Sequence, residues 1–413
     1  MLKFFQQKFI DNEEKIQNWL FKKTANLPGL IYSSVDLRNS GFKIAAIDVN
    51  IFPAGWNNIC PKYSRSASQA FKNYLNKHYS QAKKILIFPE SHTKNLFYFE
   101  NLLHLQNILI EAGFETLIGH NLDNFGEQQQ VKINDKDQLI LHKLKKSQNT
   151  LSTISNFIPD LIISNNDFSN HIPYILLNID QPIIPNPQLG WFKRNKINNI
   201  IFYQQLITEF AELLDLDPWL FYPISELVEE IDFQSKQGVS QIAEVINNII
   251  KLTKKKFNEY SINLEPYIFI KNASGTYGIG VESFNSVQEF LNMNRKQRNK
   301  LSVGKGSQKI HKVIIQEGIQ TVDRYKQFIA EPVIYLVNNE PIGGFFRLND
   351  RKNDKENLNS KGMSFSKLCF HEILVYNNAN QEDIQPEHLK KIYYTLAQIA
   401  SIAASLENQF LAI

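Results

Sequence analysis

Apolar and polar positions alternate between Val35 and Asn58 as they do in two β-strands joined by a tight turn at Gly41. Four polar side chains that could bind a metal ion or a substrate lie on these strands: Asp36, Arg38, Asp48 and Asn50. Side chains two residues apart in a strand share a face, so each strand holds its two polar groups together. The pattern therefore predicts a hairpin with clustered polar groups, ended by the run Phe52-Pro53-Ala54-Gly55.

Oxygen-bearing side chains gathered in this way suit a hard divalent cation with an anionic substrate beside it. The candidate metal ligands are Asp36, Asp48 and Asn50, and Arg38 and the loop residue Asn57 are candidates for binding substrate. The alternative is an edge hairpin whose polar face is simply hydrated.

Strands alternate with helices over the next part of the chain. Helices are predicted over residues 65–80 and 95–112, and strands over residues 84–88, 114–118, 138–144, 160–164 and 182–184. This alternation indicates a parallel sheet, which binds ligands at the carboxyl ends of its strands. Two loops at such ends contain further substrate-binding candidates: His92, Lys94, Asn166 and Asp167. Helix capping is the alternative role for any one residue of these loops.

A proline-rich stretch over residues 182–191 predicts a boundary between domains 1–185 and 186–413. Beyond it, helices are predicted over residues 198–214 and 237–260, and the strand 267–271 ends at Lys271. The loop that follows contains three glycines: Gly275, Gly278 and Gly280. Glycines let backbone N–H groups approach a polyphosphate, and the strand-end lysine adds a cation. The basic segment 295–309 is predicted to be mobile.

Two later segments have nucleotide-site character. The strand 313–319 is apolar at first and then contains the polar residues Gln316 and Glu317. An interdomain hinge of this form can present backbone groups to adenine and the carboxylate of Glu317 to the ribose hydroxyls. A plain buried strand with a polar exit is the alternative. A hairpin then opens at Glu331 and closes at Arg347, whose planar guanidinium suits a transferring phosphoryl group. For Arg347 the alternative is a surface salt bridge.

Composition narrows the functional class. The 413 residues have a net charge of +4 and form no basic stripe of the kind that nucleic-acid-binding proteins carry. Two cysteines, Cys60 and Cys369, provide no disulfide framework and fit a reducing compartment, where both are expected to be structural. The N-terminal segment predicts an amphipathic helix docked on the protein's own core rather than on a membrane, and no apolar run is long enough to span one. These features predict a cytoplasmic protein with no nucleic-acid or membrane partner.

Together the segments resemble the ATP-grasp superfamily, in which two α/β lobes clamp ATP. On this resemblance Lys196 and Lys271 correspond to the two ATP lysines, residues 316–319, including Ile319, to the adenine hinge, and Arg347 with Asn357 to the pair after the central hairpin. In such ligases the metal ligands lie on the last strand, in a pattern close to Asp, Glu-x-Asn and Pro-x-Gly. Here the similar residues are at the N-terminus. The resemblance thus implies an α/β, circularly permuted ATP-grasp-like fold with an N-terminal Rossmann-like parallel-sheet domain.

At closer range the chain resembles the ATP-grasp-like glutamate–cysteine ligases of proteobacteria. The resembling segments lie between about residues 33 and 363: SSVDLRNSGFKIAAIDVNIFPAGWNN, the loop 90–95, SNND, IKNASGTYGIG, IIQEGIQT, AEPVIYLVNNEPIGGFFR and ENLNSKGM. The resemblance implies ATP and Mg²⁺ as cofactors, L-glutamate and L-cysteine as substrates, and a γ-glutamyl phosphate intermediate in glutathione biosynthesis.

On this resemblance Arg347, Lys271 and Arg38 are the candidate catalytic residues. Two alternatives stay open: another carboxylate–amine ligase, such as a glutathione-synthetase-like enzyme, and a catalytically inactive nucleotide sensor. The sequence also leaves a homo-oligomer open.

Overall fold

The computed structural model of the chain describes residues 1–91, 95–122, 125–233, 235–275, 280–303, 309–369 and 386–412. The helices are α1 Leu2–Asp11, α2 Glu13–Thr24, α3 Ser64–His78, α4 Leu96–Glu111, α5 Lys196–Leu213, α6 Lys236–Glu259, α7 Val287–Leu291, α8 Arg295–Ser302 and α9 Pro386–Ala412. The strands are β1 Ser33–Asn39, β2 Ile44–Asn50, β3 Lys84–Pro89, β4 Glu115–His120, β5 Gln128–Lys132, β6 Gln138–Ser147, β7 Thr150–Thr153, β8 Leu161–Asn165, β9 Ile183–Ile184, β10 Ser225–Val228, β11 Ile268–Asn272, β12 Glu282–Phe284, β13 Val313–Glu317, β14 Arg324–Tyr325, β15 Phe328–Val337, β16 Glu340–Asn349 and β17 Met363–Lys367.

The N-terminal hairpin is part of an antiparallel central sheet of order β17-β16-β15-β1-β2, with β14 paired to β15. Asp36 of β1 lies opposite Val333 of β15 on one side and opposite Asp48 of β2 on the other. Strands from the two ends of the sequence are therefore direct neighbours, and the polar groups of the hairpin face residues that the chain supplies some 300 positions later.

One face of the central sheet is covered by helices from both ends of the chain. Val35 and Leu37 of β1 pack into an apolar core with Phe5 of α1 and Leu396 of α9. Alternation within β1 then leaves Asp36 and Arg38 on the opposite face. The predicted N-terminal helix is confirmed as a core-docked element, although the structure divides it into α1 and α2 at Asn12.

A second sheet has the order β5-β6-β4-β3-β8-β9, with β7 paired to β6. The pairs β4–β6, β3–β4, β3–β8 and β8–β9 are parallel, as the alternation of strands and helices predicts. Strands β5 and β7 are antiparallel additions that the pattern did not indicate. The carboxyl end of β8 delivers the loop containing Asn166 and Asp167 toward the central sheet.

A third, antiparallel sheet has the order β10-β13-β11-β12 and packs against α6. Phe269 of β11 lies opposite Gln316 of β13, so the strand-end lysine and the hinge are adjacent. The prediction of a mobile segment over residues 295–309 is wrong for its first half. Residues 295–302 form α8, which begins with a capping box between Asn294 and Gln297.

Sheet membership does not follow the predicted domain division. Residues 33–50 belong to the central sheet with β15–β17, although they precede the parallel sheet in sequence. The boundary at residue 185 stays a prediction.

The two cysteines are bonded to each other, so the expectation that they provide no disulfide is wrong. Cys60 follows a short turn after β2, and Cys369 follows β17, with 6.0 Å between their Cα atoms. Two cysteines 309 positions apart give no spacing signature, and only the pairing of β1 with β15 and of β16 with β17 brings these segments together.

Replacing Cys60 with serine is expected to lower the free energy of unfolding by about 2–4 kcal/mol, because the crosslink restricts the unfolded chain. The measurement is equilibrium denaturant unfolding with and without reductant. Reductant should move the wild-type midpoint toward that of Cys60→Ser and leave the variant unchanged. Identical midpoints for oxidised wild type and Cys60→Ser would contradict a stabilising role for the disulfide.

Candidate active site

A cleft lies between the polar face of the central sheet, the start of α5 and the ends of β11 and β13. It contains about 700 Å³ of empty space, part of it open to solvent. Most residues that the sequence singles out line this central cleft: Asp36, Arg38, Asp48, Asn50, Lys196, Lys271, Gly275, Gln316, Glu317, Ile319, Arg347 and Asn357. They come from both ends and the middle of the chain, and the pairing of β1 with β15 is what joins them.

Two carboxylates stand opposite each other on neighbouring strands, and each is paired with a cation. Arg347 Nη1 donates to Asp36 Oδ2 at 2.7 Å, and Lys196 Nζ lies 2.8 and 2.7 Å from the two oxygens of Asp48. Burial raises the pKa of Asp36 despite Arg347, with nearby carboxylates adding to the effect. Burial also opposes ionisation of Asp48, but Lys196 and Lys271 together hold its pKa below the usual value.

The donor set fits a hard divalent cation. Asp36 and Asp48 contribute carboxylate oxygens, and Asn50, two residues after Asp48, contributes an amide oxygen to the same cleft. No cluster of three His, Cys, Asp or Glu residues suited to a metal occurs in the described part of the chain, so the third protein ligand would be the amide. A bound cation would share both carboxylates with Lys196 and Arg347.

Arg347 belongs to a buried chain of alternating charges. Glu331 accepts from Arg347 Nη1 at 2.6 Å and from Arg38 Nε at 2.9 Å. Burial opposes ionisation of Glu331, but the two arginines hold its pKa below the usual value. Arg347 Nε is buried and has no hydrogen-bond partner among the described residues, so its N–H group is available to donate to a bound ligand.

Glu331 was not among the sequence-selected site residues, and its position at the opening of the hairpin was its only signal. Arg38, in contrast, was selected from the sequence as a substrate-binding residue, but the structure shows it bonded to other parts of the protein. Its remaining nitrogens donate to the carbonyls of Ile319 and Glu356, at 2.9 and 2.6 Å. Because its hydrogen bonds are made within the protein, the arrangement fits a residue that holds Glu331 in place. Its predicted contact with substrate stays a prediction.

The two lysines enter the cleft from adjacent backbone segments. The backbone N–H of Lys196 donates to the carbonyl of Ala273 at 2.9 Å, which joins the start of α5 to the glycine loop. Lys271 Nζ donates to Gln316 Oε1 at 2.6 Å and to the carbonyl of Ile47 at 3.2 Å. Burial lowers the pKa of Lys271 to about 8, against the attraction of Asp48.

The hinge carboxylate is saturated by donors from the protein. Glu317 accepts from Lys43 Nζ at 2.8 and 2.9 Å, from Trp219 Nε1 at 3.1 and 3.2 Å, and from the backbone N–H of Ile224 at 2.9 Å. Binding of ribose hydroxyls, as expected from the sequence, would require Glu317 to give up part of this network. Gln316 and Ile319 line the cleft beside it.

Some sequence-selected residues lie away from the cleft. Asn57 donates to Glu100 at 3.1 Å. Asn166 donates to the carbonyl of Pro89, and its side-chain oxygen accepts from the backbone N–H of Phe168, which closes the local turn. Gly280 adopts a φ of 72°, which favours glycine, but does not line the cleft. His92, Lys94 and Gly278 lie outside the described residues.

A second cavity adjoins the first and contains about 720 Å³ of empty space, part of it open to solvent. It shares Asn50, Arg347 and Asn359 with the central cleft, and Asp167 lies on its wall. We call it the aromatic recess after its apolar lining: Phe52, Trp191, Tyr335, Phe345, Met363 and Phe365. The sequence-based selection missed all six. The alternation Met363-Ser-Phe365-Ser-Lys367 was the available signal for β17.

Comparison with known proteins places the chain in a family. The family model for glutamate-cysteine ligase matches residues 6–408. The chain belongs to the glutamate–cysteine ligase family. It is therefore an enzyme of the ligase class that joins glutamate to cysteine, a step of glutathione biosynthesis.

A solved structure supports this membership. A protein from Methylobacillus flagellatus KT, assigned as a γ-glutamylcysteine synthetase, matches with a TM-score of 0.90 and 33% identity, over 99% of this chain and 96% of that chain. D-alanyl-alanine synthetase A of Vibrio cholerae O1 biovar eltor matches with a TM-score of 0.38 and 11% identity, over 76% and 80%, and no conclusion is drawn from it. None of the curated proteins matches the chain in sequence.

For this glutamate–cysteine ligase, the α/β class expected from the sequence is confirmed. The circular permutation, the Rossmann-like assignment of the parallel sheet and the individual residue roles stay predictions. Across the described residues, no helix combines the length and apolar character that crossing a membrane requires.

Proposed function

We propose that this ligase activates the γ-carboxylate of glutamate with ATP in the central cleft and transfers the γ-glutamyl group to the amino group of cysteine. The observation that carries the proposal is the meeting of Asp36, Asp48 and Asn50 with Lys196, Lys271 and Arg347 in one cleft. An acidic and amide donor set beside several cations is what a metal-bound polyphosphate requires.

The nucleotide would lie along the cleft from the hinge to Arg347. Gln316, Glu317 and Ile319 line the adenine end, and Lys196 and Lys271 would neutralise the phosphates. Gly275 would let the backbone approach the phosphates closely, and Asn357 offers a side-chain amide to the same cleft. Small-molecule substrates and a cytoplasmic location follow as expectations from this assignment.

Asp36, Asp48 and Asn50 would hold Mg²⁺, which supplies charge neutralisation of the phosphates when bound. Burial and the neighbouring Glu331 and Asp48 raise the pKa of Asp36, so a further positive charge there would favour its ionised form. The same three residues sit on a hairpin joined to β15. This neighbourhood supports the proposal of an ATP-grasp arrangement permuted so that the metal strands come first.

In the first step, a γ-carboxylate oxygen of glutamate forms a bond to the γ-phosphorus of ATP, and the bond from that phosphorus to the bridging oxygen breaks to release ADP. Arg347 would stabilise the charge on the transferring group with its unspent Nε–H. In the second step, the uncharged amino nitrogen of cysteine forms a bond to the acyl carbon, the bond from that carbon to the phosphate oxygen breaks, and the nitrogen loses one proton, giving the amide, phosphate and H⁺. The protein's task in both steps is positioning and charge stabilisation rather than nucleophilic attack.

The function is tested by measuring ADP release with glutamate alone, with cysteine alone and with both, followed by mass analysis of the product. We expect full turnover only with both amino acids and a product of the mass of γ-glutamylcysteine. ADP release with a different amine would favour another carboxylate–amine ligase, and no ADP with any combination would favour a nucleotide sensor.

ATP affinity is expected to weaken as pH rises from about 7 to 9, by up to about tenfold per pH unit above the pKa of Lys271. Burial lowers that pKa to about 8, so the ammonium is charged below this value and neutral above it. Bound phosphates favour the charged form, and binding near pH 8 should therefore take up protons. Calorimetric titration in two buffers of different ionisation enthalpy measures both effects.

Lys271→Arg is the control for this dependence, because arginine stays charged over the whole range. The variant should bind ATP with little change between pH 7 and 9 and without proton uptake. An unchanged pH dependence in Lys271→Arg would show that another group is responsible.

A further inference from the structure

The aromatic recess adjoins the catalytic end of the cleft. The residues that both cavities share are Asn50, Arg347 and Asn359, whereas the hinge residues Gln316 and Ile319 line the cleft alone. A nucleotide with its adenine at the hinge would therefore place its terminal phosphate toward the recess. The second substrate must reach the acyl phosphate from a space next to that end, and the recess is such a space.

The lining of the recess favours a small substrate with a soft, weakly polar side chain. Phe345 and Phe365 make an edge contact with 5.2 Å between ring centroids, and Tyr335 packs on Phe345 at 5.6 Å. On β17, Met363 and Phe365 lie two residues apart on one face and are 40% and 41% exposed, so apolar surface is left uncovered at the recess. Thiols contact aromatic rings and thioethers favourably.

The charges in the recess are few. The described residues that line it include two charged side chains, Asp167 and Arg347. Glutamate carries two carboxylates, and Arg347 already pairs with Asp36 and Glu331. Cysteine carries one carboxylate and an uncharged thiol, so its charge demand matches the recess better than that of glutamate.

We propose that the aromatic recess is the acceptor site and selects cysteine through its side chain. The thiol lies against Phe345, Met363 and Phe365, and the amino group points to the junction formed by Asn50, Arg347 and Asn359. This inference rests on the proposed function, since it places the second substrate of that reaction. It makes β17 the specificity element of the enzyme.

The test is a steady-state comparison of wild type with Phe365→Ala, which removes one ring that lines the recess but not the central cleft. The KM for cysteine should rise about fivefold to tenfold, on the scale of a lost sulfur–aromatic contact and its burial. The KM values for glutamate and ATP should change less than twofold. Phe21→Ala is the matched control, because Phe21 is 72% exposed on α2 and lines neither cavity.

Rates with a series of acceptor amino acids give a second measurement, because a general loss of structure would not change the preference of the enzyme for one acceptor over another. Wild type should use 2-aminobutyrate, in which a methyl group replaces the thiol, better than serine, in which a hydroxyl does. Phe365→Ala should reduce that preference about fivefold, since the apolar contact is the source of the discrimination. Met363→Ala repeats both measurements at the neighbouring position on the same face of β17.

The outcomes separate this inference from the proposed function. If wild type forms no γ-glutamylcysteine at all, the function itself is wrong. If wild type is active and both variants raise the KM for glutamate rather than cysteine, the recess is the donor site and the inference is overturned. Unchanged KM values and an unchanged acceptor preference in both variants would overturn it as well.

Discussion

Asp48→Asn is expected to reduce ADP release by about a thousandfold, the scale of removing one charged group from a reacting centre. Asparagine keeps the size of the side chain but removes the charge that Mg²⁺ and Lys196 share. The remaining activity should require much more Mg²⁺ than wild type does. The measurement is initial-rate ADP release with glutamate and cysteine over a Mg²⁺ series.

Asp217→Asn is a closely matched control for this variant. Asp217 pairs with Lys256 at 2.7 Å and its side chain is 21% exposed, against 2.7 Å and 25% for Asp48 with Lys196. Asp217 lies outside the central cleft, so Asp217→Asn should keep activity within about twofold. It loses an ion pair whose contribution to the free energy of unfolding is similar to that of the Lys196–Asp48 pair. If both variants lost activity equally, the defect would be one of stability, and the metal assignment of Asp48 would fall.

Arg347→Lys is expected to lower kcat about a hundredfold while the KM for ATP changes little. Lysine keeps one charge for Asp36 and Glu331, but its compact ammonium lacks the planar fork that lets the guanidinium pair with both carboxylates while Nε–H faces elsewhere. The loss should therefore appear in the chemical step, which single-turnover measurements of ADP formation report directly.

Arg324→Lys provides the control, because Arg324 is a half-buried arginine that donates to the backbone carbonyls of Thr321 and Asp323 outside the cleft. It should leave kcat within about twofold, since those carbonyls also accept from an ammonium. A normal kcat in Arg347→Lys, with a raised KM for ATP instead, would assign Arg347 to ground-state nucleotide binding.

The hairpin residues show which part of the active site could be predicted from the sequence. Asp48 and Asn50 share a face of β2, as Asp36 and Arg38 share a face of β1, because strand alternation is a local property that can be read without knowing the rest of the fold. The register that places Asp36 opposite Asp48 is seen only in the structure. Lys271 and Gln316 were similarly found at strand ends. What the local pattern lacks is the partner of each group, because the pairing of β1 with β15 is a contact over nearly the whole chain.

The misses follow from the same limit. Glu331 became a site residue only through its contacts with Arg38 and Arg347, and the role of Glu317 changed once Lys43 and Trp219 were seen around it. The aromatic recess is assembled from β2's exit loop, β15, β16 and β17, so no single window of sequence contains it. The disulfide was unreadable for the same reason.

The pairing of β1 with β15 also has a consequence for synthesis on the ribosome. The hairpin that carries Asp36 emerges early, yet its neighbour Val333 follows about 300 residues later. At about 5–20 residues per second, the edge of β1 waits roughly 15–60 seconds for its partner. During that time the edge of β1 lacks its β15 partner, and its unpaired backbone groups are open to other nascent chains. An early-made strand of the active site is thus completed only when one of the later strands has been synthesised.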